Sequence, residues 1–193
     1  MFEAFAQVKE KDLTPKLKKI LDDLGKIDVL VGIPEEKSSR KGHITNAELV
    51  YIHTHGIRRH SMIKEMQPVV DEEGYSKAFE MYIQEHGSPL WQSPPRPIIE
   101  PAIEKSENKK IIGEELGEAA KKALGGDVQG AKQQLERTGM TAQNIVRGWW
   151  DDPDNNWPPN AAETIKQKGS DRPLIDTGEL RKSITYVVRD GND

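Results

Sequence analysis

VQGAKQQLERTGMTAQNIVRGW, residues 128–149, is the stretch whose reading decides the fold. Val128, Ala131, Leu135, Thr138, Ala142, Ile145 and Trp149 follow one another at steps of 3, 4, 3, 4, 3 and 4 residues. That spacing lays one apolar seam along a helix. At 1.5 Å per residue the helix would be about 33 Å long. Gly139 falls in mid-run, costs about 1 kcal/mol in helix propensity, and marks either a kink or a close packing contact. A seam of this length needs an extended partner. The preceding segment offers one: a helix from Ile98 or Ile99 to Leu124, with Ile112, Leu116, Ala119, Ala120 and Ala123 on one stripe and Gly125-Gly126 as its stop. A neighbouring subunit is the other possible partner.

Toward the N-terminus, Leu13, Leu17, Ile20, Leu21 and Leu24 mark one helix face, with Thr14 as N-cap, Pro15 at the first helical position and Gly25 as the stop. Residues 27–33 (IDVLVGI) read as a strand stopped by Pro34. The polar stretch 35–44 reads as an exposed loop. Thr45 then caps a short helix from Asn46 to about His53, closed by Gly56. Residues 57–95 read as an insertion or adaptable arm. Within it, 61–70 suggests a strand or hairpin and 75–86 a helix with Phe79, Tyr82 and Ile83 inward, before the break at SPLWQSPP.

Toward the C-terminus, Asp151 to Asn156 is a polar turn around Pro153. Asn160 and Glu163 have capping-box spacing, as do Asp176 and Glu179, and Gly169 ends the helix that Asn160 begins. Residues 183–189 (SITYVVR) form a strand in which Ile184, Tyr186 and Val188 share a face. The expected fold is α+β over a single domain, 1–193: a small antiparallel sheet, an N-terminal helix and two long central helices.

Composition narrows the function. The chain is 35% hydrophobic and 31% charged, with mean hydropathy −0.74, which leaves a modest core and favours burial in an assembly. There is no cysteine, so disulfides and thiolate metal sites are excluded. A net charge of −4 argues against a dedicated nucleic-acid binder. Met1-Phe2-Glu3-Ala4-Phe5 lacks the basic region and apolar run of a signal peptide, and no run approaches the roughly 18 apolar residues of a membrane span. Synthesis in the cytoplasm and retention there until assembly are expected.

Pro173-Leu174-Ile175-Asp176-Thr177-Gly178 invites an aspartic-protease reading. Such enzymes need two carboxylates about 3 Å apart sharing one proton. Only 15 residues follow Gly178, too few for the flap and the supporting apolar segment. Glu179 also stands where those enzymes carry Ser or Ala. His53, His55 and His60 lack zinc-peptidase spacing, and residues two apart diverge on a helix. No phosphate loop, nucleophile elbow or cysteine nucleophile is present. Trp149, Trp150 and Trp157 read as core or interface rather than a base-stacking platform. No catalytic residue, metal or cofactor is expected; a hydrolase using Asp176 is the remote alternative.

With these pieces placed, the order of segments is similar to the tail-component, or tail-completion, proteins of long-tailed bacteriophages and prophages. Val29-Leu30-Val31-Gly32-Ile33-Pro34 precedes Asn46-Ala47-Glu48-Leu49-Val50-Tyr51-Ile52-His53-Thr54-His55-Gly56. Pro94-Pro95-Arg96-Pro97-Ile98-Ile99, a long helical middle, Trp157-Pro158-Pro159-Asn160, the Asp-Thr-Gly segment and Ser183-Ile184-Thr185-Tyr186-Val187-Val188 complete the pattern. The resemblance implies a small α+β virion protein at the head-proximal end of the tail or in the neck, usually a ring. It implies a hexameric or dodecameric homo-oligomer that contacts connector, neck and tail proteins, with DNA free to pass through the ring and no sequence-specific reading of it. Another morphogenesis or minor capsid role on the same fold is the alternative. Two departures stand out: about 40 residues separate Gly56 from the Arg-Pro motif, and Ile98 replaces the usual aromatic after it. Arg96, Pro97, Trp149, Trp150, Trp157 and Pro158 are expected at packing or interface positions, and Asp176, Thr177 and Gly178 are expected to hold the last strand against the sheet.

Overall fold

The computed structural model describes residues 14–40, 43–87 and 90–190. The chain is α+β and 66% helical, with strands in antiparallel pairs. Its framework is a helical hairpin: α7 (Ser106–Leu124) turns at Gly125 and Gly126 into α8 (Val128–Gly148). Asp127 caps α8, its carboxylate accepting from the Gly130 N–H at 2.8 Å. Thr141 Oγ1 donates to Glu115 Oε1 at 2.9 Å, tying the two helices together at mid-length.

The long helix of the opening stretch is present, but its buried face is rotated from the expected seam. Val128 is 55% exposed, and fully buried Val146 replaces half-buried Ile145. A straight helix drifts about 20° per heptad from a strict 3.5 repeat. This one also packs on two sides, against α7 and against the sheet β1 (Ile27–Gly32) with β4 (Thr185–Asp190). Gly139 is the close-contact position: a Cβ there would lie 2.3 Å from the Tyr186 ring on β4. The helix continues through it.

β1 and β4 pair antiparallel in one register, from Ile27 opposite Asp190 to Gly32 opposite Thr185. Among the described residues there are two two-stranded sheets instead of one small sheet. The second joins β2 (Ile57–Arg58) to β3 (Trp91–Ser93), the two ends of the expected arm. Between them 61–70 is not a strand or hairpin but lies in α4 (His60–Glu73), which packs on α5 (Tyr75–His86). Met62, Met66, Ala78 and Tyr82 form a core of their own there, with Phe79 and Ile83 against it, as the helical spacing of 75–86 predicts.

Other expectations shift in detail. α1 (Thr14–Leu24) begins one residue earlier than expected, with Thr14 already its first residue and Pro15 its second, and Leu13 and the reading of residues 1–5 lie outside the described residues. The polar loop 35–44 contains a helical turn, α2 (Glu35–Ser38), whose buried Ser38 accepts from the Ala47 N–H. α3 (Asn46–His55) has the Thr45 cap as a full capping box with Glu48 and ends at Gly56. The helix expected from 98 to 124 is broken at Lys105 into α6 (Ile99–Glu104) and α7. The break is stabilised on both sides. Lys105 Nζ reaches Asp152 at 2.9 Å and Asp154 at 2.8 Å, while Asn108 Nδ2 donates to the Ala102 carbonyl.

The main core gathers Val50, Ile98, Ala102, Val146, Trp149, Trp150, Leu180 and Ile184, residues from four α-helices, a 3-10 turn and two connecting segments. Among the described residues no helix is long and apolar enough to cross a membrane.

Candidate functional site

Arg96 sits in a proline-rich strap whose nearest neighbours lack N–H donors, so backbone carbonyls are left for others to use. The Arg96 side chain is 5% exposed and donates Nε to the Pro158 carbonyl and Nη2 to the Pro159 carbonyl, both at 2.9 Å. Its own N–H donates to the His53 carbonyl at 2.6 Å. A buried guanidinium without acceptors would be costly, and these carbonyls satisfy it; burial still pulls its pKa down.

One residue on, the Pro97 carbonyl accepts from two indoles, Trp149 Nε1 at 3.2 Å and Trp157 Nε1 at 2.9 Å. Trp157 meets Trp150 edge to face, with centroids 5.8 Å apart at 89°. Short 3-10 turns at Trp149–Asp151 and Pro153–Asn155 bring the chain round, and Asn155 closes it by bonding to the Trp149 carbonyl and the Trp157 N–H. The structure therefore brings Arg96, Pro97, Trp149, Trp150, Trp157 and Pro158 into a single corner. Trp149 and Trp150 are buried, and the remaining indole is half-exposed.

The capping boxes expected further on are absent. α9 (Ala162–Lys168) starts from Ala161, because the Asn160 side chain donates to the Asp171 carbonyl instead, although Gly169 ends the helix as expected. α10 (Glu179–Ser183) starts from Gly178 in the left-handed conformation, φ +76°. Thr177 Oγ1, not Asp176, accepts the Glu179 N–H. Asp176 is exposed, so this triplet shapes a turn and does not hold the last strand. That task falls to Arg147, which sequence reasoning missed. Its guanidinium donates to the Ile184 carbonyl at 2.7 and 3.0 Å and to the Lys182 carbonyl at 2.9 Å. Its position in the last turn of a long helix is a faint signal, since a cation there suits any helix C-terminus.

Beside the corner, α3, β3, the 159–164 segment and the Asp-Thr-Gly turn enclose a half-open cleft of about 620 Å³. Arg40, Arg59, Arg96 and Lys168 line it, with Asp176 and Glu179 among the other lining residues. His53 also lines the cleft. Its Nδ1 is buried without a partner, and burial with the nearby Arg96, Arg40 and Lys168 charges lowers its pKa to about 4. The histidines do not converge: His55 instead bonds to the Tyr51 carbonyl and stacks on its ring. Among the described residues the close group of metal-ligating types is Glu65, Glu85 and His86, all exposed on the α4–α5 hairpin.

No family model, curated protein or solved structure matches this chain.

Proposed function

We propose that the chain is a non-enzymatic virion protein of a long-tailed bacteriophage or prophage, one that completes the tail and joins it to the head connector. The observation that carries this reading is the convergence of the motif segments. Arg96 and Pro97, Trp149, and 157–159 lie up to 63 residues apart and are bound to each other through backbone carbonyls. Residues used in this way fix the geometry of a subunit and leave no free nucleophile or acid among them.

Apolar surface supports the assembly role. Tyr51 (65% exposed), Val128 (55%) and Met140 (50%) are large side chains left outside both cores, as expected of faces that meet neighbours in a closed ring. Such a ring, hexameric or dodecameric, would sit in the neck, with DNA passing through its bore. Native mass measurement of the purified chain, alone and with connector and tail proteins, tests the reading. A defined closed oligomer that Asp176→Asn leaves intact is expected. A monomer that cleaves peptides and loses that activity with Asp176→Asn would overturn it.

A further inference from the structure

We infer that the cleft beside the Arg96 corner is a docking site for an extended, carboxylate-bearing segment of a partner protein. The inference deepens the assembly reading by giving the chemistry of one contact, and it rests on that reading for the partner's being a protein.

Charge is the first ground. The chain is net negative, yet four cations from four separate segments line one concavity, against two carboxylates. Among the described residues none of the four is paired with a carboxylate. Arg59 and Lys168 bond to the carbonyls of Trp91 and Arg172, and Arg96 to those of Pro158 and Pro159. Among the described residues the Arg40 side chain has no hydrogen-bond or ion-pair partner. Elsewhere among the described residues six lysines and three arginines have found an acid, the arginines being Arg172, Arg181 and Arg189. Cations held together without counter-ions raise the local potential, which an incoming carboxylate relieves.

His53 is the second ground, independent of the arginines' placement. His53 lines the cleft and its Nδ1 is buried without a partner, a cost that a ligand removes once the ring turns toward it. With a carboxylate in the cleft, the imidazole can also take a proton that burial and the surrounding cations now refuse it.

Shape decides between ligand classes. The lining includes the strand Trp91–Ser93 and the chain at 159–161, with Ala161 extended, so two stretches of extended backbone border the cleft. An extended segment with spaced carboxylates suits such a border. A nucleic-acid backbone is worse suited, because Asp176 and Glu179 line the same cleft and would meet its phosphates.

The test is fluorescence anisotropy on the full chain with a short labelled peptide of alternating aspartate and glycine. Asparagine-glycine peptide, inorganic phosphate and oligothymidylate serve as competitors. The aspartate peptide should bind at least about tenfold more tightly than the asparagine peptide, and Arg40→Glu with Lys168→Glu should weaken it by a similar factor. The two variant sites are partly exposed, and far-UV circular dichroism checks that the double variant is folded. By NMR, the His53 titration midpoint should rise from about 4 when the peptide is present. Equal binding of the asparagine peptide, an unaffected double variant or tighter binding of oligothymidylate overturns the inference. A ring that forms while the peptide fails to bind sinks the inference alone. A monomer that binds the peptide sinks the assembly reading alone.

Discussion

Burial, reinforced by Arg96, Arg40 and Lys168, holds the His53 imidazole near pKa 4 against an ordinary 6.5. Below pH 6.5 the unfolded chain takes up a proton that the folded chain refuses until about pH 4, so the unfolded state binds more protons across that window. Stability contributed by neutral His53 is therefore complete above 6.5, falls as pH drops from 6.5 to 4, and is gone below 4. The loss should be on the order of 1–3 kcal/mol after solvent screening of a partly exposed ring. Urea midpoints measured across that window should flatten in His53→Gln relative to the parent; parallel curves would show that His53 is not the titrating group. At this scale the sequence was legible where a residue's role is local or its chemistry leaves few options. Gly139 was readable as a kink or a close contact, of which the Tyr186 ring makes it the second, and the arginine and indoles of the corner were readable as packing or interface positions. Arg147, Arg40 and Lys168 were not, because their roles depend on carbonyls and charges brought near by folding, and a lone cation carries no mark of which ones.

Elements whose own chemistry agrees with their surroundings could be read from the chain. The Thr45 cap, the β-branched run of β1 and the glycine stops of α3 and α9 are of this kind. α4 is the opposite case. Ile63, Val69 and Val70 lower helix propensity, and Pro68 stands inside the helix, where it lacks an N–H and crowds the preceding turn. Local preference pointed to a strand or hairpin. Burial of Met62 and Met66 against Ala78 and Tyr82 outweighs it, and no window of the sequence shows that packing. A direct consequence is that Pro68→Ala should stabilise the hairpin by about 1–3 kcal/mol. Hydrogen exchange of α4 amides should slow correspondingly. Faster exchange would mean that the proline is needed for the helix to fit its neighbour.

On the scale of the whole molecule, the described residues form two clusters of buried side chains that share no residue. One unites both ends of the sequence with the Trp-Arg corner, and the other lies wholly within the α4–α5 hairpin between β2 and β3. The second cluster lies inside 57–95, the segment read as an insertion or arm, and its helical content in 61–70 came from packing. A small cluster of this sort should open without the larger one, as local units often do. Met62 has no exposed surface and anchors the smaller cluster, so Met62→Ala leaves a cavity costing about 2–5 kcal/mol. Hydrogen exchange followed by mass spectrometry should then show protection lost across 60–86. Protection of α8 and of the β1–β4 pair should stay within error of the parent, because their contacts run through Ala131, Leu135 and Val146 and do not involve Met62. The same variant should retain the parent's native mass if ring contacts lie on the main body, and lose it if the hairpin makes them. Uniform loss of protection over the whole chain would instead show one cooperative unit, with the arm as much a part of the core as the helical hairpin.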